Sequence, residues 1–427
     1  MKIALISLHT SPTEVPGQKD AGGMNVVVAQ QAKALAELGN EVTIFTRASE
    51  NISAGTHSLD ESSLTPSNPR VIAIPAGPKF LAKEQLPTVV AEFAQNLTRI
   101  ITGEAVSFDI FHSHYWLSGL SVATALQSAP APHAITFHTV AAQKNLHLAP
   151  GDSLEPVVRL EAEEELAQNA FIIASSMSEL QGIVENYRVS NQGEHSRVIN
   201  PGVDTDFFKP NAQLIEARHL DAHHLDNGNN FQDLRITVLG RQQPLKGQDL
   251  ALAAFIELIN NYPQLADRAK LIIAGEATPG AESYTSTLRS RAKQLSSKFA
   301  SAQGKPLVEF LPAQTRFESA QLLASSDLVL IPSHYETFGL VALESAASGT
   351  PVLAADVTGL RESVKHGVSG FLIAGRDPAV WARHMAQLLL NKERLKTLSS
   401  SARTFALQRT WREHAQQLEE TYNELAV

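Results

Sequence analysis

The chain has 427 residues, 43% hydrophobic and 19% charged, with 24 glycines and 21 prolines. That balance excludes a disordered polymer and, at ~150 residues per domain, predicts more than one folded domain. Thirty-five basic against 44 acidic side chains give a formal net charge of -9, so no nucleic-acid partner is expected. The absence of cysteine excludes disulfides, thiolate–metal sites and a cysteine nucleophile. No run reaches the ~18 apolar residues of a membrane span, and Met1–Ser7 reads as a buried first strand instead of a leader. A cytoplasmic protein without integral membrane association is expected.

In chain order, short apolar runs at Ile3–Ser7, Val42–Phe45, Val71–Ile74, Ile110–His112, Ala134–Phe137 and Phe171–Ala174 predict strands. Amphipathic stretches such as Asn25–Leu38 separate them, the pattern of a parallel sheet covered on both faces. Ala48–Arg70, rich in Ser, Asn and Thr, reads as a surface loop, and polar Asn211–Asp233 as a linker. A second series follows at Ile236–Leu239, Leu271–Ala274, Val308–Leu311, Leu328–Ile331, Pro351–Ala354 and Phe371–Ile373, with helices such as Gly247–Ile259 and Gly339–Ala347. The expected fold class is α/β, with two doubly wound Rossmann-like domains, residues 1–205 and 206–409, facing a central cleft. The amphipathic tail, residues 410–427, is a helix able to pack back on the first domain.

Three motifs carry the chemistry. In Asp20-Ala-Gly22-Gly23-Met24-Asn25, paired glycines open a helix, where backbone N–H groups can meet a phosphate. The pattern is not the Gly-x-Gly-x-x-Gly of dinucleotide binders, which argues against NAD and FAD. Gly240-Arg241-Gln-Gln-Pro-Leu-Lys246-Gly247 places two cations between a strand and a helix, suited to gripping a diphosphate. Glu336-Thr-Phe338-Gly339-Leu340-Val-Ala-Leu-Glu344 puts one carboxylate at a helix mouth and another about one and a half turns in. The backbone N–H groups of Phe338, Gly339 and Leu340 would face the same space.

Other features read as structural. Asp204-Thr-Asp206 has no second ligand cluster, and the histidines at 219, 223 and 224 belong to the linker, so no metal site is expected. Glu161–Glu165 reads as a solvated charge run and His112 or His114 as a satisfied core histidine. His138, ahead of Thr139 at a strand end, reads as functional.

Together the three motifs resemble the retaining GT-B glycosyltransferases, over essentially the whole chain. The resemblance implies that Arg241 and Lys246 hold a donor diphosphate, Glu336 touches the transferred sugar and Glu344 the ribose, with Gly23, Phe338, Gly339 and Leu340 completing the donor site. Arg241, Lys246, Glu336 and His138 would form the catalytic set. Within the family, His9-Thr-Ser-Pro12, Lys83-Glu-Gln-Leu-Pro-Thr88, His112-Ser-His-Tyr-Trp-Leu-Ser-Gly119, His138–Asn145 and Glu155-Pro-Val-Val-Arg159 are similar to the branch acting on inositol 3-phosphate in mycothiol synthesis. That implies acceptor-phosphate contacts at Lys83, Tyr115, Thr139 and Arg159, with His9, Asp20 and Asn25 toward the inositol. Two cations and two hydroxyls suit a phosphate dianion. The implied co-substrate is a UDP-sugar, UDP-GlcNAc by this resemblance, with no obligatory cofactor; magnesium is optional and a homodimer is left open. Gln314 stands where the family usually has arginine. Open alternatives are sucrose-phosphate synthase-type glucose transfer, a UDP-GlcNAc 2-epimerase and a non-catalytic nucleotide-sugar binder.

Overall fold

The computed structural model describes residues 1–14, 22–60, 68–103, 107–189, 195–211, 234–266, 268–298 and 307–426. Asp20 and nearly all of the expected linker, including its histidines, lie outside them. The chain divides into two units: residues 1–147, 154–202 and 411–427 form the first, and residues 148–153 and 203–410 the second.

The first unit holds one sheet: β1 (Lys2–Ser7), β2 (Glu41–Arg47), β3 (Gly55–Ser58), β4 (Arg70–Ile74), β5 (Ile110–His114), β6 (His133–Thr136), β7 (Phe171–Ala174) and β8 (Ser196–Val198). Its order is β3-β4-β2-β1-β5-β6-β7-β8. All neighbours are parallel except β3 with β4. Ile3, Ala4, Leu5 and Ile6 are all fully buried, as a strand covered on both faces requires. The chain leaves β1 in one direction toward β2 and later returns to its other side at β5. The β1/β5 boundary is therefore the topological switch point, where such sheets gather ligands beyond their strand ends.

Residues expected as one surface loop, Ala48–Arg70, contain β3. Gly55–Ser58 pairs antiparallel with β4 and closes that sheet edge. Its Gly-Thr-His-Ser sequence is mostly exposed, so no apolar alternation marks it. The three-residue β8 was equally silent. The helix Trp411–Leu425 belongs to this unit and is pinned by polar bonds: Tyr422 Oη lies 2.6 Å from His112 Nδ1, and His414 Nδ1 2.9 Å from the Asn200 carbonyl.

The second unit holds a wholly parallel sheet: β9 (Leu234–Leu239), β10 (Ala269–Ala274), β11 (Val308–Leu311), β12 (Leu328–Ile331), β13 (Val352–Ala355) and β14 (Gly370–Ile373). The order β11-β10-β9-β12-β13-β14 places its switch point between β9 and β12. Its core gathers Phe255, Leu258, Leu343 and Trp381 around the strands. Both units are thus doubly wound α/β folds. No helix among the described residues is long and apolar enough to cross a membrane.

Candidate functional site

In the second unit the two chemical motifs meet at the β9/β12 switch point. Lys246, at the end of the loop after β9, donates to Glu336 Oε1 across 2.6 Å. Ser333 Oγ gives the same oxygen a second bond of 2.8 Å. The loops are also tied by their backbones, the His334 N–H donating to the Leu245 carbonyl at 2.8 Å. Gly247, at φ +70, allows this approach, since a Cβ there would lie 2.1 Å from the Pro332 carbonyl oxygen.

The Glu336 backbone is clamped by Thr358, whose hydroxyl donates to its carbonyl at 2.6 Å and accepts from its N–H at 3.1 Å. Thr358 itself sits at φ 29, a left-handed conformation uncommon outside glycine and held here by these bonds. Gly339, at φ +97, caps the helix Leu340–Ala347. A Cβ there would meet the end of the Leu360 side chain at 2.6 Å, and the left-handed φ strains any other residue, so glycine fits this turn. Phe338 is buried beneath this turn and Leu340 opens the helix. Glu344 follows about one and a half turns past Gly339. Burial pushes its carboxyl up to about 7, against the opposing pull of Arg316.

Gln242 and Gln248, both buried, brace the loop carrying Arg241. Gln242 Nε2 donates to the Gly275 carbonyl at 2.6 Å, and Gln248 Nε2 to the Arg241 carbonyl at 2.9 Å. Neither was singled out from sequence, nor were Ser333 and Thr358, although Ser333 lies only three residues before Glu336. Asp204 pairs with Arg316 at 2.9 Å and accepts the Phe207 N–H at 3.0 Å, a structural use of the Asp-x-Asp string.

The first unit gathers its candidates at the ends of β1, β5 and β6. His9 follows β1 and Tyr115 follows β5, with ring centroids 4.9 Å apart at the switch point. Tyr115 (φ 76) and His138 (φ 60) both adopt left-handed conformations at strand ends. His138 Nε2 lies 2.8 Å from His114 Nδ1. Burial, with His414 in support, pushes the His138 imidazole down to about 3, so near pH 7 it is neutral. Burial pushes the Tyr115 phenol up to about 12, partly offset by Arg159, and it remains a hydroxyl.

Tyr115, Thr139 and Arg159 are brought together. The Arg159 guanidinium lies 4.8 Å over the Tyr115 ring, and its Nη2 donates to the Thr139 carbonyl at 2.6 Å. Lys83 opens the 3₁₀ helix Lys83–Val89 and is exposed. Gly23 begins the helix Gly23–Glu37 and is exposed.

Asn25 takes part in an internal hydrogen-bond set, and one expectation, the solvated run Glu161–Glu165, needs correction. Asn25 is buried and ties Thr10, Ser11 and Gly22 together: Oδ1 accepts from the Thr10 hydroxyl at 3.1 Å and the Gly22 N–H at 3.0 Å, while Nδ2 donates to the Ser11 carbonyl at 2.6 Å. The run Glu161–Glu165 is not a solvated face throughout, because Glu163 is fully buried. It accepts from Arg159 Nε at 2.6 Å, Tyr187 Oη at 2.5 Å and the Ala141 N–H at 2.8 Å. Glu155 takes Arg159 Nη1 at 2.8 Å and is paired with Lys144. All three Arg159 nitrogens therefore have partners inside the unit.

A family model described as glycosyltransferase family 4 matches residues 21–207, and one described as glycosyl transferases group 1 matches residues 221–405. A protein of Thermobispora bispora named D-inositol 3-phosphate glycosyltransferase is 37% identical over 99% of this chain and 94% of its own. Among solved structures, the sucrose-phosphate synthase of Thermosynechococcus elongatus superposes with a TM-score of 0.82 at 25% identity, covering 100% of this chain and 99% of that one. The Anabaena protein HepE, solved with UDP and glucose, gives 0.73 at 22% identity over the full length of both chains, a likeness of fold.

Proposed function

We propose that this chain, which belongs to the GT-B glycosyltransferases, transfers N-acetylglucosamine from UDP-N-acetylglucosamine to a hydroxyl of 1D-myo-inositol 3-phosphate, with retention at the anomeric carbon. The observation that carries the acceptor is the meeting of Tyr115, Thr139 and Arg159 at the ends of β5 and β6, where a cation lies 4.8 Å over the Tyr115 ring and bonds the Thr139 carbonyl, beside two residues that carry hydroxyls. The near full-length likeness to an enzyme named for that acceptor supports the same reading.

In this reading Arg241, Lys246 and the helix mouth at Gly339 face the donor diphosphate. As the bond from the anomeric carbon to the diphosphate breaks, charge grows on the departing oxygen, and Lys246 and the helix N-terminus stabilise it. Glu336, oriented by Lys246 and Ser333, holds hydroxyls of the transferred sugar, and Glu344 those of the ribose. The acceptor hydroxyl bonds to the same face of the sugar, and its proton passes to the departing diphosphate. His138, neutral and aligned by His114, contributes a hydrogen bond beside the sugar. No metal is required in this scheme.

The test is an acceptor screen with UDP-N-acetylglucosamine and UDP-glucose against inositol 3-phosphate, inositol and fructose 6-phosphate. UDP release, product mass and the anomeric coupling constant are the readouts. The expected result is one product, from UDP-N-acetylglucosamine and inositol 3-phosphate, of retained configuration. Unphosphorylated inositol is expected to show a KM roughly 10- to 150-fold higher, the worth of one charge-assisted contact. Preference for UDP-glucose with fructose 6-phosphate would replace this reading by sucrose-phosphate synthesis.

A further inference from the structure

Arg159 presents a difficulty for any phosphate approaching it, because its nitrogens already have partners. Nε and Nη1 are held by two carboxylates, Glu163 and Glu155, and Nη2 by the Thr139 carbonyl. Lys144 pairs with the second oxygen of Glu155. Two cations and two carboxylates thus cancel. A phosphate dianion added to the cluster as it stands would meet no net attraction.

The two carboxylates are not equivalent. Glu163 lies within the helix Val157–Asn169, its side chain wholly enclosed (0% exposed), and also anchors Tyr187 and the Ala141 N–H. Removing it from Arg159 would strand a buried charge. Glu155 precedes that helix in the chain, retains 14% side-chain exposure, and follows Leu154, which is 68% exposed. Its carboxylate bridges Arg159 and Lys144, the same service that two oxygens of a phosphate could perform. When Glu155 turns outward, the cluster is left with two cations against one carboxylate.

We propose that Glu155 is an internal stand-in for the acceptor's phosphate, occupying Arg159 and Lys144 until a dianionic group displaces it, and so determines the acceptor class. Lys144 thereby becomes a phosphate ligand alongside Arg159. An acceptor without a phosphate offers nothing to replace the bridge, and the cluster stays closed to it. The apparent affinity for phosphate equals the intrinsic affinity reduced by the fraction of molecules with Glu155 displaced. The inference rests on the reading of this cluster as the acceptor-phosphate site.

The test uses the full chain and inorganic phosphate as probe, with binding by calorimetry and acceptor KM in parallel, for native protein, Glu155→Gln and Glu155→Asp. Glu155→Gln keeps shape but loses the charge competing for the cations. It is expected to bind phosphate about tenfold more tightly and to lower the KM for the phosphorylated acceptor, leaving unphosphorylated inositol poor. Glu155→Asp, too short to bridge both cations, is expected to shift the same way by less, and it serves if the amide variant fails to fold. Unchanged or weakened phosphate binding in a folded variant overturns the proposal and leaves Glu155 a structural ion-pair partner. Native protein that uses inositol and inositol 3-phosphate equally overturns the acceptor reading and this inference together. Native discrimination with unmoved variants overturns this inference alone.

Discussion

The two units each offer cations beside their strand ends, but they hold them differently. In the second, Lys246 keeps 28% of its side chain exposed and meets the single carboxylate of Glu336. In the first, Arg159 is 3% exposed and lies between two carboxylates, one of them fully enclosed. The half-open pair can meet a ligand with little rearrangement. The closed cluster is part of its unit's core as well as a candidate binding group. The distinction separates a residue whose loss harms chemistry from one whose loss harms folding first.

Acid is expected to divide the units most strongly. Burial pushes His133 and His414 down to about 4 and His138 to about 3, and holds His112 and His114 well below the usual 6.5. An unfolded chain binds these protons first, so their contribution is full above about pH 6.5 and is lost as pH falls toward 4. Glu344 runs the other way: raised from 4.5 to about 7, its contribution is full below 4.5 and lost as pH rises through about 7. Glu163 is also raised by burial, a single group opposing five histidines, while the second unit has two lowered histidines, His334 and His384, against those five. Hydrogen exchange followed by segment between pH 7 and 5 is expected to show β5–β7 losing protection while β9, β12 and β13 keep theirs. Equal loss in both units would break the comparison.

Arg159→Ala comes next. It leaves Glu163 buried without its cation, a loss of roughly 3–5 kcal/mol, read as an early denaturant transition of the first unit. A variant with native stability and only a raised acceptor KM would show that the guanidinium is a pure ligand. Lys246→Ala is expected to leave both transitions in place and to lower turnover ~10²–10³-fold, the cost of one stabilising contact to developing charge. Near-native turnover would reduce Arg241 and Lys246 to loop residues.

How much was legible in sequence follows the same division. The second unit's site lies in two short contiguous stretches, so strand, turn and charged residue could be read together. The twelve apolar runs that marked strands are all strands, because burial on both faces writes itself into composition. The first unit's cluster is assembled from residues 115, 139, 144, 155, 159 and 163, whose meeting depends on the order of β5 and β6 and on the helix behind them. Glu163 looked like one of several surface glutamates, since local spacing does not reveal that its neighbours Ala162 and Leu166 turn the same face inward. Asn25 was legible as important but not as a brace, because its partners Ser11 and Thr10 lie 14 and 15 residues away in the chain. β3 and β8 escaped because short edge strands need little apolar surface.

The smallest expected effect concerns divalent metal. If the second unit stabilises a departing diphosphate through Lys246 and the helix mouth at Gly339, positive charge is supplied by the chain and by backbone dipoles. The one Asp-x-Asp string among the described residues is engaged elsewhere. Asp204 bonds Arg316 and the Phe207 N–H, and Arg316 in turn stacks 4.1 Å over the Phe207 ring. Recruiting Asp204 to a metal would break that ion pair and loosen the turn it caps. Turnover measured with excess EDTA, then with magnesium or manganese restored, is therefore expected to stay flat. A full loss with chelator that returns on adding metal would mean that a cation, and not Lys246 alone, answers the leaving charge. The half-open pair would then be a metal-assisted site, and its contrast with the closed cluster of the first unit would have a different cause.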